Sequence, residues 1–458
     1  MATTAPVSDP VARGKRARKE VSRSSQADWA PAPGRPSARA VLAAQDRTRV
    51  PELVPIRYGR MLATPFTFYR GAAAIMAGDL GSAPNSGIEA QLCGDAHLSN
   101  FGVFQAPDRR LVFDLNDFDE TLRGPFEWDV KRLAASFAVA GRERGFDESE
   151  RRAATIAAVS EYREAIRDFA SMRDLDVWYA RFDIESFQKR FRAEVGKKAV
   201  KNLDKEMAKA RGKDSMRALS KLSRRVDGRN RIVSDPPLIV PVEELAGTVD
   251  VDSMLRKLMA AYRRTLDTDR RMLVDRYHYE DAAHKVVGVG SVGNRAWIIL
   301  LIGRDQDDPL FLQAKEAQQS VLEPYAAKCP FDNQGRRVVE GQRMMQAASD
   351  IFLGWLRAEG LDGGQRDFYV RQLWDGKRSA EVELLGPEQL ANYGRACGWT
   401  LARAHARSGD RVAIAAYLGS SAAFDEAIAD FAERYADQNE RDYGSLKAEV
   451  EAGRLAVA

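Results

Sequence analysis

The spacing of apolar side chains predicts long helices in two regions of the chain and short strands in two others. Apolar residues recur at helical intervals in residues 127–171 and again from Pro387 onward, so long helices are expected there. Residues 91–120 and 285–322 contain instead short β-branched and aromatic runs broken by polar clusters and glycine. Such runs predict strands joined by loops. We therefore expect an α+β protein.

The second strand region and the residues after it predict a run of separate elements. Residues 285–303 predict two strands joined by a glycine-rich turn, and residues 308–322 predict a third strand that runs into a helix. The apolar spacing of residues 336–356 predicts a helix. Residues 367–376 and 381–385 predict two further strands.

The chain is predicted to have four segments. Residues 1–50 are rich in Ala, Pro, Ser and Arg without periodicity, which is typical of a disordered tail. We expect a mostly helical lobe over residues 51–235, a β-rich lobe over residues 236–385, and helices over residues 386–458 that return to the first lobe. The boundary between the lobes is placed at the helix-breaking sequence DPPL.

The net charge of +4 is unevenly distributed. Residues 1–50 carry ten Lys and Arg against four Asp and Glu, and residues 189–231 carry sixteen against five. The rest of the chain is therefore acidic. Basic segments of this kind can bind nucleic acid, but residues 189–231 contain a single aromatic residue, Phe191, and not the interleaved aromatics that stacking on bases would require. We interpret this segment as solvated basic helices, with nucleic-acid binding as the weaker alternative.

Several classes of protein are not expected from this composition. The three cysteines have no CxxC spacing and the four histidines no HxxxH spacing, which argues against a disulfide framework, a zinc ribbon and a histidine metal site. No apolar stretch approaches the ~18 residues of a spanning helix, and the N-terminus has no apolar region typical of a secretory signal. We expect a cytoplasmic protein with no membrane partner. The sequence does not predict an oligomeric state.

The sequence Gly94-Asp-Ala-His-Leu-Ser-Asn100 is the first polar cluster with chemical potential. Asp95 and Asn100 are close enough in one tight loop to point at a single centre. Asp95 could then accept a hydroxyl proton as a catalytic base, while the side-chain oxygen of Asn100 binds a divalent metal. Alternatively, both residues satisfy backbone groups of a turn. His97 is expected to hold the loop by a hydrogen bond from its ring.

The second polar cluster, residues 113–120, holds four acids and an asparagine after a β-type run. Carboxylate oxygens suit Mg²⁺, which keeps other positions for water and substrate phosphates. Asp117 is the first candidate ligand, with Asp114 and Asp119 as alternatives because the strand register is uncertain. An acidic hairpin turn is the other interpretation. Because two such loops follow each other closely, we favour a shared metal site.

The third cluster is glycine-rich, and Gly288, Gly290, Ser291 and Gly293 are its candidate phosphate-binding residues. The residues after it are too β-branched and aromatic for a helix, which argues against a dinucleotide-binding turn and for a hairpin that folds over phosphates.

Lys315 follows the next apolar strand and could reach phosphate oxygens. Glu340 is its candidate ion-pair partner, with Glu316 and Glu323 as rivals. The alternatives are a plain hairpin and a surface lysine.

These clusters resemble the parts of a kinase. GDAHLSN resembles the catalytic loop of aminoglycoside and choline phosphotransferases, LNDFDE resembles the metal-binding segment that follows it, and EWDVKRLA resembles the helix start that supports the loop. The stretch from TPFTFYRGAA to LARAHARSGD, roughly residues 50–415, resembles a bacterial family named domain of unknown function 2252, which is grouped with protein-kinase-like folds.

The resemblance implies a bilobal kinase-like fold with a mostly helical C-lobe and a small antiparallel-sheet N-lobe. The order is circularly permuted, since the catalytic loop precedes the glycine-rich lobe. It also implies an ATP-dependent phosphotransferase that uses Mg²⁺ or Mn²⁺ and acts on an unidentified hydroxyl acceptor. An AMP transferase on the same scaffold and a catalytically inactive nucleotide-binding scaffold remain alternatives.

Overall fold

The computed structural model describes residues 9–184, 215–246, 251–360, 362–373 and 378–458. In these residues the protein combines α-helices with antiparallel sheets, as predicted. Helices from both ends of the chain share one large core, here called the helical body, and a six-stranded sheet from the middle of the chain lies beside it.

The N-terminal segment is ordered from Asp9 onward, so the prediction of a disordered tail over residues 1–50 is wrong for this part. It forms helix α1 (Pro10–Glu20) and helix α2 (Ala38–Asp46). The side chain of Asp9 accepts a hydrogen bond from the first turn of α1, as an N-cap should.

Single side chains fasten this segment to the helical body. Trp29 is buried, and its ring centroid lies 5.0 Å from that of Tyr435. Arg35 forms ion pairs with Asp79 at 2.6 Å and with Asp442 at 2.7 Å. Because these contacts involve no apolar stripe, the periodicity of the sequence carried no signal for them.

Three short helices follow, as predicted for this region: α3 (Val54–Met61), α4 (Pro65–Gly71) and α5 (Ala73–Gly81). Proline occupies the first turn of α3 and α4, where its missing N–H costs nothing. Thr64 and Thr67 form a reciprocal capping box at the start of α4.

The predicted strand–loop–strand pattern of residues 91–120 is confirmed. The first part of the chain contributes five strands to two small antiparallel sheets: β1 (Glu89–Leu92), β2 (Phe101–Gln105), β3 (Leu111–Leu115), β4 (Leu122–Pro125) and β5 (Phe182–Asp183). Strand β1 pairs with β4, and β3 lies between β2 and β5.

The long helices predicted for residues 127–171 are present as α6 (Glu127–Glu143) and α7 (Glu148–Ser171), and a short helix, α8 (Asp174–Tyr179), follows them. Helix α6 is buried along almost its whole length, because other helices cover it on all sides.

Part of the predicted basic segment 189–231 lies outside the described residues. From position 215 it forms α9 (Ser215–Leu222) and a hairpin of β6 (Ser223–Val226) and β7 (Arg229–Ile232).

The six-stranded sheet is antiparallel throughout. Its strands are β8 (Ile239–Pro241), β9 (His278–Lys285), β10 (Ala296–Ile302), β11 (Pro309–Glu316), β12 (Gly354–Glu359) and β13 (Gln365–Gln372). They are ordered β12-β13-β11-β10-β9-β8. The glycine-rich turn joins β9 to β10, as predicted.

Helices cover both faces of this sheet. The chain between its strands forms α10 (Val242–Ala246), α11 (Val251–Arg263), α12 (Thr268–Val274) and α13 (Gln334–Met345). One face packs against α10, α11 and α12, and the opposite face packs against α9. Helix α13 contacts the sheet but places Val338 and Val339 in the core of the helical body, so it joins the two parts.

The helix predicted over residues 336–356 ends at Met345. The N–H of Ala347 donates to a carboxylate oxygen of Asp114 at 2.9 Å, and this tertiary contact draws the chain out of the helix. Strand β12 then begins at Gly354.

Two further predictions are wrong. No helix follows β11 over residues 317–322, where the chain forms turns. Residues 382–384 form a 3₁₀ turn instead of a strand.

The chain ends in three helices, as the apolar spacing predicted: α14 (Pro387–Ser408), α15 (Arg411–Leu418) and α16 (Ala423–Glu451). Short strand β14 (Arg378–Ser379), which precedes them, pairs with β2. Among the described residues, no single helix is long and apolar enough to cross a bilayer, although α15 and α16, bent by 85°, meet the length and composition test as a pair.

Candidate active site

Two strand pairs bring the first and second polar loops together. The first loop leaves β1 at Leu92 and enters β2 at Phe101, whereas the second leaves β3 at Leu115 and enters β4 at Leu122. Leu92 pairs with Leu122, and Phe101 pairs with Leu115. Both loops therefore start and end at the same two pairings.

The two loops touch each other directly. Gly94 has a positive φ of 83°, and a Cβ at this position would collide with the backbone carbonyl of Glu120. At the other end, the N–H of Asn116 donates to the carbonyl of Asn100 at 2.9 Å. The spacing of the loops is thus fixed by backbone contacts.

Asp129 braces the first loop from the start of α6, as its place at a helix start suggested. Its two carboxylate oxygens accept from the backbone N–H groups of Cys93 at 2.8 Å and Gly94 at 3.0 Å. His405 Nε2 lies 3.3 Å from the same carboxylate, and the hydroxyl of Tyr162 lies 2.8 Å from His405 Nδ1. A buried chain of polar groups thus holds the loop from behind.

Asp95 combines a fixed position with partial access to solvent. Arg132 Nε donates to Asp95 Oδ1 at 2.8 Å, and the Asp95 side chain is 20% exposed. Burial raises the pKa of Asp95 to about 6, against the lowering effect of Arg132 and with a further increase from the charge of Asp117. Near neutral pH this carboxylate is ionised and still basic enough to take a proton.

His97 stabilises the loop through its backbone. Its N–H donates to the carbonyl of Asp95 at 2.8 Å, and its carbonyl accepts from the N–H of Asn100 at 2.8 Å. The expected ring hydrogen bond is absent among the described residues, since Nδ1 has no partner there and Nε2 lies 3.7 Å from Asp95. Burial lowers the pKa of His97 well below its usual range, so the ring is neutral.

Asn100 and Asp117 offer side-chain oxygens to a metal. The Asn100 Nδ2 donates to the carbonyl of Asp95 at 2.8 Å, which leaves Oδ1 without a donor among the described residues. Asp117 is half-buried, and among the described residues its Oδ1 accepts a hydrogen bond only from the N–H of Asp119, at 3.1 Å. In the described part of the chain, no group of three or more His, Cys, Asp or Glu could hold a metal by itself. A Mg²⁺ ion held by Asn100 and Asp117 would therefore need water and substrate phosphates to complete its shell.

Asp114, an alternative candidate metal ligand, is a buried residue of the core. It is 1% exposed, forms an ion pair with Arg403 and accepts from the N–H groups of Leu115 and Ala347, each at 2.9 Å. Burial raises the pKa of Asp114 in spite of these partners. Both oxygens of the Asp114 carboxylate take part in contacts, which join β3 to α14 and to the end of α13.

Asp119 pairs with Lys315, which corrects the predicted pairing of Lys315 with Glu340. Lys315 Nζ lies 2.5 Å from Asp119 Oδ2, and the hydroxyl of Tyr369 donates to Oδ1 at 2.6 Å. Burial opposes the charge of Asp119, but Lys315 and the hydrogen bonds outweigh it and lower the pKa to about 2. Burial likewise opposes the charge of Lys315, yet Asp119 raises the pKa of Lys315 above its usual value.

The three glutamates proposed as partners of Lys315 lie elsewhere. Glu340 is 3.9 Å from Arg336 on its own helix, and Glu316 pairs with Arg295 at 3.3 Å. No ion pair of Glu323 occurs among the described residues. Lys315 is therefore paired with Asp119 of the second polar loop.

The glycine-rich loop lies against the same acid. Ser291 Oγ donates to Asp119 Oδ2 at 3.4 Å. Gly288 and Gly293 have positive φ values of 71° and 89°, which other residues adopt only with strain. Within the described residues, no acceptor contacts the backbone N–H of Gly290 or of Ser291. Both N–H groups are therefore free of described acceptors and could donate to an anion bound at this loop.

Residues outside the predicted motifs fix the glycine-rich loop. Arg49 donates to the carbonyl of Val292 at 2.5 Å and to Asn294 at 3.0 Å, and Arg60 donates to the carbonyl of Gly288 at 2.8 Å. Sequence reasoning missed both arginines. Arg49 lies in the predicted disordered tail, and a single basic residue in a sequence does not indicate which distant carbonyl it will contact.

Arg337 was missed for the same reason. Its buried guanidinium donates to the carbonyls of Thr121 at 2.7 Å, Asp119 at 2.8 Å and Gln318 at 2.8 Å. It therefore clamps the second loop to helix α13, in the region where an ion pair from Glu340 was expected.

Comparison with known proteins places the chain in one family. A family model described as an uncharacterized protein conserved in bacteria, DUF2252, matches residues 49–449. Neither a curated protein nor a solved structure matches the chain.

Proposed function

The chain belongs to the bacterial DUF2252 family, and from its site we propose that it is an ATP-dependent phosphotransferase that uses Mg²⁺ or Mn²⁺ and transfers phosphate to a hydroxyl acceptor. The observation that carries this proposal is the convergence on Asp119. Lys315 and Ser291, which come from two separately predicted motifs, both contact the acid of a third. The fourth motif, with Asp95, lies against the same loop.

Asp95 is the proposed catalytic base. As the acceptor oxygen forms its bond to the transferred phosphorus, the bond from that phosphorus to the ADP oxygen breaks, and the hydroxyl proton passes to the Asp95 carboxylate. The pKa of about 6 supports this role because the group is mostly ionised near pH 7. Arg132 fixes the direction of the carboxylate.

The remaining side chains would bind the nucleotide. Asn100 Oδ1 and Asp117 would hold Mg²⁺, which when bound neutralises charge on the phosphates. The N–H groups of Gly290 and Ser291 would donate to phosphate oxygens. Lys315, which forms an ion pair with Asp119 in this structure, would also contact a phosphate oxygen of the nucleotide.

We further propose that the fold is a circularly permuted kinase-like fold. In the usual order a helix precedes the catalytic loop, and here α14 from the end of the chain occupies that place beside β1. The N–H of Gln91 donates to Ser408 Oγ at 3.3 Å, and Gly409 contacts Ala90. The six-stranded sheet with its glycine-rich loop and lysine would be the N-lobe.

The test is labelling with ATP that carries the label at the γ- or the α-phosphate. We expect metal-dependent consumption of γ-labelled ATP by the wild-type protein, and none by Asp95→Asn. Transfer of the α-label alone would establish an AMP transferase. Nucleotide binding without turnover would establish an inactive scaffold, and retention on DNA without nucleotide binding would favour the nucleic-acid alternative.

A further inference from the structure

Arg70, in the last turn of α4, differs from the other arginines of the site in its lack of a partner among the described residues. Its Nε is buried, and within the described part of the chain its guanidinium forms neither a hydrogen bond nor an ion pair. By contrast, Arg132 donates to Asp95 and to the carbonyl of Tyr69, and Arg337 donates to three carbonyls. Leaving a buried guanidinium donor such as this Nε unsatisfied costs free energy.

Arg70 lies where three parts of the site meet. Its backbone carbonyl would be 3.3 Å from a Cβ at Gly290, so the glycine-rich loop rests on it. Burial lowers the pKa of the Arg70 guanidinium, and the charges of Asp95, Glu383 and Asp117 are near enough to oppose this. None of these three carboxylates forms an ion pair with it.

We propose that Arg70 binds an oxyanion, a phosphate or carboxylate group, in the space between the glycine-rich loop and Asp95. The planar fork of arginine matches two oxygens of such a group, and a bidentate contact would satisfy the donors that the protein leaves open. The inference rests on the proposed phosphotransferase function and deepens it. The oxyanion comes either from the terminal phosphate of ATP or from an anionic acceptor.

Three variants test this. Arg70→Gln removes the charge, and Arg70→Lys keeps the charge but removes the fork. Arg47→Gln is the matched control because the Arg47 side chain is exposed and forms no hydrogen bond or ion pair with a described residue. Melting temperatures establish that each variant is folded. Calorimetry then measures affinity for ATP and ADP with Mg²⁺, and for inorganic phosphate in the presence of ADP.

The two sources of the oxyanion give different results. If Arg70 binds the terminal phosphate of ATP, Arg70→Gln weakens ATP binding roughly ten- to hundredfold and leaves ADP unchanged. If it binds an acceptor anion, both nucleotides bind normally, but inorganic phosphate loses its affinity by a similar factor. In both cases Arg70→Lys retains part of the affinity.

Equal affinities of wild type and Arg70→Gln for all three ligands would overturn the proposal. Failure of the proposed function is distinguishable, because wild-type protein would then bind neither nucleotide. Phosphate added alone still probes Arg70 in that case. A phosphate-induced rise in melting temperature that Arg70→Gln abolishes would support the subsite, and no rise would overturn it.

Discussion

Lys315 Nζ lies 2.5 Å from Asp119 Oδ2, although 196 positions separate the two residues in the chain. The lysine stands on the six-stranded sheet and the aspartate in a loop of the helical body. One ion pair thus joins the two parts of the protein at the proposed nucleotide site. Any nucleotide that takes the charge of Lys315 must compete with Asp119 for it.

The pair should couple stability to nucleotide binding. Lys315→Ala leaves Asp119 without its cation, so we expect a loss of roughly 2–4 kcal/mol of unfolding free energy together with weaker ATP binding. Asp119→Ala should cost a similar amount. In chemical denaturation, the double variant should lose less than the sum of the two single changes. Strict additivity would show that the pair contributes nothing, and Glu323→Ala is the control.

Asp95→Asn should abolish turnover and leave ATP binding within about twofold, because the amide keeps the shape of the side chain but cannot accept the proton. In the wild type, turnover should fall about tenfold per pH unit below pH 6, where Asp95 is protonated, and level off above pH 7. Initial rates of ATP consumption between pH 5 and 8 measure this. A flat profile, or full activity in the variant, would remove Asp95 from the mechanism.

Asp117→Asn should weaken nucleotide binding without loss of stability, whereas Asp114→Asn should lower stability. Asp117 has no cation within ion-pair distance among the described residues, so its variant should melt normally and bind ATP less tightly only when Mg²⁺ is present. Asp114→Asn leaves the buried Arg403 unpaired, which should cost about 3–5 kcal/mol. Calorimetry with and without metal, next to thermal melts, separates the two. A metal-dependent defect in a stable Asp114→Asn would reverse the assignment.

Glu120→Gln should flatten the dependence of stability on pH. Burial raises the pKa of Glu120 to about 7, so the native state keeps a proton that the unfolded chain has released above its ordinary pKa of 4.5. Native wild-type protein therefore loses stability as the pH rises from 4.5 to 7, by up to about 3 kcal/mol. The side chain of the variant cannot ionise. Its free energy of unfolding, measured by urea titration, should therefore rise relative to that of the wild type as the pH increases from 4.5 to 7. Parallel profiles would contradict the shift.

Removal of residues 1–45 should destabilise the protein, which reverses what the composition of that segment suggests. The deletion uncovers the surface under Trp29 and leaves Asp79 and Asp442 without Arg35. We expect a melting temperature lower by several degrees, and a smaller drop for Arg35→Ala. Deletion of residues 1–8 alone is the control. An unchanged melting temperature in the long deletion would show that these contacts carry no net stability.

Sequence patterns predicted where the parts of the candidate site lie along the chain, but not the contacts between those parts. The two acid loops, the glycine-rich turn and Lys315 stand at the ends of strands, where β-type runs and glycine predicted them. Neither the partner of Lys315 nor the lack of a described partner for Arg70 could be predicted, because Asp119 lies 196 positions from Lys315 and the glycine-rich loop that rests on Arg70 lies about as far along the chain. The early end of helix α13 has the same cause, since the carboxylate of Asp114 captures the next N–H.

The pairings of Leu92 with Leu122 and of Phe101 with Leu115 have a mechanical consequence. Because both polar loops are anchored at the same two pairings and also contact each other through backbone groups, a movement that carries the two strand pairs together carries Asp95 and Asp117 with it. The proposed proton acceptor and the proposed metal ligands should then keep their spacing. The glycine-rich loop and Lys315 stand on a different sheet, so tilting that sheet would loosen the hold on the phosphates while the spacing of the reacting groups stays constant.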